Sequence, residues 1–175
     1  MMSQQRPQDM RLDQFQLVDR IVAIGSDRAS VRTVTRVPDD HSIFVGHFPG
    51  HPLLPGVIIG ELMAQTSGFV LLVKNGFSRM PFLAAMRELN LRSFVAPGTA
   101  LECEARLVHQ GSGYAVLDAE VKRAGEANRV ADARLTFRVT AFPNRMLEEH
   151  MAVRAAEVGL VLNGGAARLG SGDQV

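Results

Sequence analysis

His47 and Glu61 are the two residues of this chain whose types and surroundings best suit chemistry. Both lie in HFPGHPLLPGVIIGELMAQ, His47 to Gln65, where a proline-rich loop leads into an almost wholly apolar stretch. A carboxyl group among Leu53, Leu54, Val57, Ile58, Ile59, Leu62 and Met63 is costly unless paired or neutral, so function is the economical reason for it. An imidazole beside a carboxylic acid supplies one base and one acid.

Other polar residues read more blandly. Asp39, Asp40 and His41 are adjacent in a turn, where Asp is common on its own account, and adjacent residues seldom converge on one ion. We assign no metal site. His51 lies inside the motif, His109 and His150 have no evident partners, and none of the three receives a role. Gly111-x-Gly113 and Gly164-Gly165 lack the Lys-Ser/Thr of a phosphate loop and read as hairpin and tail.

The elements that must hold the pair follow from periodicity. Gln16–Ile24 and Ser30–Val37, separated by GSDRA, read as two strands. Pro38 to Pro55 reads as a stiff loop, since Pro38, Pro49, Pro52 and Pro55 oppose helix. Pro55 can open a helix that runs to about Val73 and stops at Asn75-Gly76. Its apolar residues cover every face, so a curved sheet must wrap it. Alternation at Leu101–Leu107, Ala115–Val121 and Ala131–Val139, with turns at Gly111–Gly113 and Ala124–Glu126, gives an antiparallel meander. Asn144–Val158 reads as a short amphipathic helix, and residues 163–175 as a flexible tail. Met63, Met80, Phe82, Met86 and Phe94 suit either a tunnel lining or plain core.

Composition narrows the function class. The chain has 175 residues, 46% apolar, enough for one core. Formal net charge is +1 and the basic residues form no run, so no nucleic-acid footprint is visible. Cys103 is the single cysteine, which excludes an internal disulfide and suits a reducing cytoplasm. The polar start MMSQQRPQDMRLDQF reads as neither secretory signal nor anchor, and Glu61 and Gln65 argue against membrane insertion of the apolar stretch.

A long apolar helix preceded by strands and followed by an antiparallel sheet is the order of the hot-dog fold, an α+β architecture. Within it, His47, Phe48, Pro49, Pro52, Pro55, Gly56, Val57, Glu61 and Gln65 closely resemble the motif of the 3-hydroxyacyl-acyl carrier protein dehydratases. LVDRI at Leu17–Ile21 and LRSFVAPGTAL at Leu91–Leu101 are similar to flanking strands of that family. Glutamate at position 61, where the dehydratase-isomerase branch usually has aspartate, favours the dehydratase without isomerase activity. Asp13–Gln16, Asn90-Leu91 and Thr99 depart from the family's habit and bear on substrate length and docking more than on chemistry.

The resemblance implies dehydration of (3R)-3-hydroxyacyl thioesters to trans-2-enoyl thioesters, with His47 as base, Glu61 as acid and no cofactor. It also implies acyl carrier protein as partner, a homodimer or trimer of dimers, and a site shared between protomers. Gly56 and Val57 are the expected donors to the thioester oxygen, Gly56 also allowing substrate to approach closely. Gln65 is expected to orient Glu61 or a water. Arg79, Arg87 and Arg92 are candidates for meeting an acidic carrier. Rival readings are a coenzyme A-linked hydratase, a thioesterase, or a non-catalytic acyl-binding module. Residues 1–142 are expected to form the hot-dog domain, and 143–175 a C-terminal helix and tail.

Overall fold

A computed structural model describes Leu12, residues 14–163 and residues 166–170. Six strands form one antiparallel sheet in the order β1-β2-β4-β5-β6-β3. They are β1 Arg20–Ile24, β2 Ser30–Arg36, β3 Met80–Leu91, β4 Ala100–Gly111, β5 Tyr114–Arg123 and β6 Arg129–Thr140. A short helix α1, Ile43–Gly46, interrupts the loop between Pro38 and Pro55, since no proline falls between residues 39 and 48. The long helix α2, Gly56–Lys74, sits in the curve of the sheet, giving the hot-dog arrangement.

Local sequence explains the limits of α2. Pro55, at φ −58° and ψ 135°, is the non-helical residue before it. At the far end Asn75 donates its backbone N–H to Leu71 O at 2.9 Å, and Gly76 takes φ 58°. Within the helix Ile59, Leu62, Met63, Val70, Leu71 and Val73 are buried, each worth roughly 1.5–3 kcal/mol of transfer free energy. Among the described residues α2 is the one helix long and apolar enough to cross a membrane, yet 72% of that window is buried inside the protein. Thr66 reaches the sheet through a 2.9 Å hydroxyl hydrogen bond to Thr33.

Small residues bring β3 against α2. Gly56, Gly60, Ala64 and Gly68 recur every fourth position and share a face. A Cβ at Gly56 would come within 2.1 Å of Leu91 Cδ1, and one at Gly60 within 3.2 Å of Met86 Sδ. Leu91 lies over Gly56 and Pro81 near Gly68, so β3 runs antiparallel to the helix.

The two sheet edges differ. The edge of β1 is closed by the C-terminal helix α3, Arg145–Glu157, and the chain just after it: Ile21 N–H bonds Val158 O at 2.8 Å. Ala155, Val158 and Leu160 belong to the same core as α2. The chain continues into a hairpin, β7 Leu160–Asn163 and β8 Ala166–Leu169, where the sequence reads as flexible tail. Gly164, Gly165 and residues 171–175 of that tail lie outside the described residues. β3 forms the other edge, bonded only to β6 among the described residues, with Phe82, Leu83, Leu89 and Leu91 exposed.

Candidate active site

His47 caps the C-terminus of α1 and opens a tight loop. Phe48 and His51 exchange backbone hydrogen bonds at 3.2 and 2.9 Å, and Leu53 N–H returns to His47 O at 2.9 Å. His47 Nδ1 lies 3.1 Å from Leu53 O. A carbonyl only accepts, so this contact puts a proton on Nδ1, the tautomer that in a neutral ring has its lone pair on Nε2. Phe48 stacks on the imidazole at 4.2 Å between ring centroids, and the His47–Phe48 peptide is cis.

Glu61 is half-buried on the second turn of α2. Gln65, one turn on, donates its amide to Glu61 Oε1 at 3.0 Å and to Phe15 O at 2.5 Å. Its own oxygen accepts Leu17 N–H at 3.0 Å. The amide is held from both ends, and one carboxylate oxygen is fixed through it.

Within one chain the two groups open into separate clefts of about 530 Å³ each. The first holds His47 with Phe48, Leu53, Gly56, Leu91 and Phe94. The second holds Glu61 and Gln65 with Ala64, Phe69, Leu83 and Phe137. Among the described residues none lines both. Gly56 and Glu61 project about 140° apart around the helix, given 3.6 residues per turn.

Gly56 borders the His47 cleft, but the space above its Cα is taken by Leu91. This close neighbour is a side chain of β3. Val57 is 73% exposed. As the first two helical residues, both present N–H groups that no earlier turn can accept.

The three candidate arginines do not gather in one patch. Arg92 lines the His47 cleft and pairs with Asp132, and this hydrogen-bonded partnership raises the guanidinium's pKa and holds the carboxyl below its usual range. Arg79 lies at the opposite end of β3 and donates to Val139 O at 2.9 Å. Arg87 stands across from Arg134 in the middle of the strand. Asn90, one of the departures from the family motif, donates to Asp132 at 3.0 Å, and Thr99 closes a turn onto Ala96 O at 2.7 Å. Asp13 lies outside the described residues.

Sequence reasoning assigned nothing to His150, Met151 and Arg154 of α3, yet all three line the Glu61 cleft. The advance signal was the apolar side of the expected helix, which carries Met151 with Leu147, Ala155 and Val158, and Arg154 follows His150 and Met151 by one turn. Of the proposed tunnel residues, Met80 lines this cleft and Phe94 the other, while Met63 is fully buried core.

Comparison with known proteins shows the family and the fold. Residues 10–134 match the model of the FabA-like domain. The 3-hydroxyacyl-acyl-carrier-protein dehydratase FabZ of Pseudothermotoga lettingae is 39% identical over 110 residues, covering 63% of this chain and 76% of that one. The protein of the same name from Caldicellulosiruptor bescii is 33% identical over 119 residues, covering 64% and 84%. A hypothetical thioesterase solved with coenzyme A, from Streptococcus pneumoniae, superposes with a TM-score of 0.56 at 19% identity, over 71% of this chain and 90% of that one, a likeness of fold.

Proposed function

This chain belongs to the FabA-like domain family, and on that premise we propose that it dehydrates (3R)-3-hydroxyacyl thioesters carried on acyl carrier protein, without isomerising the product. The observation that carries the reading is a pair of titratable groups, each fixed by one hydrogen bond and each bordering an apolar cleft. His47 Nε2 takes a proton from C2, and protonated Glu61 gives one to the C3 hydroxyl, which leaves as water. A double bond forms between C2 and C3, and exchange with solvent resets both groups. The thioester oxygen gains charge on the way and is met by the N–H groups of Gly56 and Val57 at the positive end of α2.

The two clefts become one site in a dimer. The His47 cleft lies at the Leu91–Arg92 end of β3, and the Glu61 cleft at the Met80–Leu83 end. Two-fold, antiparallel pairing of the free β3 edges sets one end against the other, joining His47 of one protomer to the partner's Glu61 cleft. The exposed Phe48, Val57, Leu91 and Phe94 near His47 would be covered in the same step. That pairing also brings the Arg92 end of one protomer beside the Arg79 end of its partner, where an acidic carrier would dock. We place this activity in the cytoplasm, in a homodimer or a trimer of dimers.

The test is ultraviolet detection of 2-enoyl product from 3-hydroxyacyl substrates on carrier protein, run beside the coenzyme A thioesters. Enoyl product with carrier preferred supports the proposal. Release of free thiol without enoyl product would make the chain a thioesterase, and faster turnover of coenzyme A substrates a hydratase of that type.

A further inference from the structure

The wall of the Glu61 cleft includes a segment that the family match does not reach. His150, Met151 and Arg154 of α3 border the cleft, whereas the match ends at residue 134. α3 is held there firmly. Asn144 caps it, accepting Leu147 N–H at 2.9 Å. Arg154, 8% exposed, donates to Val18 O and, at 3.1 Å, to Glu157. Ala155 and Val158 are fully buried against the sheet.

The cleft follows α2 from Glu61 to Leu72, about 16 Å at 1.5 Å per residue, past Ala64, Phe69, Pro81 and Phe137. An alkyl chain whose head lies at Glu61 has this apolar path to follow. Met151 is the long apolar side chain that α3 contributes to it, half-buried and packed on the core. An unbranched thioether beside such a path limits its room without adding charge.

We infer that α3 gauges the acyl chain: Met151 bounds the cleft that starts at Glu61, so the chain lengths accepted are set by a segment outside the family-matched part. The inference rests on the thioester reading for the identity of the ligand. Its occupant is an alkyl chain, and its determinant is the volume at position 151.

Full-length Met151→Ala and Met151→Trp test it through kcat/KM for hydroxyacyl-carrier substrates from short to long. Alanine raises the long-to-short ratio and tryptophan lowers it, each by about tenfold, the lower end of what one pocket contact discriminates. Unchanged ratios in both folded variants overturn the inference. A second reading needs no turnover. The chain has no tryptophan, so Met151→Trp carries a single indole. A dodecanoyl-pantetheine thioester brominated at its methyl end should quench that fluorescence, and one brominated beside the carbonyl should not. A thioester that binds by calorimetry without quenching, or no binding at all, overturns the inference. Quenching without any dehydration upholds the gauge and removes the dehydratase reading instead.

Discussion

Gln65 donates to Glu61 at 3.0 Å while its oxygen receives Leu17 N–H, so the orientation of the carboxylate is tied to the strand-entry segment before β1. Gln65→Leu keeps the size and removes both bonds. Turnover should fall up to about a hundredfold, the cost of misplacing a reacting group by roughly 1 Å, with KM little changed. Separate measurement of kcat and KM checks this. A folded variant with native kcat would mean that Gln65 does not position the acid.

His47→Ala and Glu61→Gln should each lower turnover by about a hundredfold or more. Mixing the two inactive proteins, with unfolding and refolding to exchange protomers, should restore up to about a quarter of native activity. Half of randomly formed dimers are mixed, and each mixed dimer holds one intact site. No recovery, in mixtures shown by mass to contain mixed dimers, would place both groups of a site in one chain.

Phe82→Lys with Leu89→Lys puts like charges along the free β3 edge, a placement that opposes strand pairing. Light scattering should report monomers, and activity should vanish with the dimer although neither residue lines a cleft. Active monomers would contradict the joined site.

Burial pushes the Cys103 thiol from its ordinary 9.0 up to about 12, Thr66 offsetting part of the rise. The unfolded chain loses this proton first. The stability contributed by the neutral thiol is therefore complete below pH 9 and is lost as pH rises toward about 12. Urea midpoints measured from neutral to alkaline pH should fall less steeply for Cys103→Ala than for the native chain. Equal slopes would show that the thiol titrates normally.

The central helix was legible because nothing in Gly56–Val73 but Glu61 and Gln65 resists burial, and because Pro55 and Gly76 mark its limits. The meander was legible from strict alternation, its strands buried on one face only. β3 was not legible. Its register slips between Leu83 and Ala85 and again between Arg87 and Asn90, which destroys the two-residue period. Its exposed Phe82, Leu83 and Leu89 also fit a strand still awaiting a neighbour better than a finished edge. The motif identified His47 and Glu61, but spacing alone could not reveal that they open into different clefts. That separation depends on the turn of α2 and on the course of β3 across it.

The unequal rims of the sheet carry a last consequence. Val158 accepts the outward N–H of Ile21 in β1, whereas among the described residues β3 bonds only to β6, so β3 is the more open rim for a newcomer strand. A two-fold partner uses up that rim in both copies at once, and ribbon growth by strand addition ends at twelve strands. A chain cut before Asn144 would expose the second rim, and the same protein could then polymerise end to end as fibres.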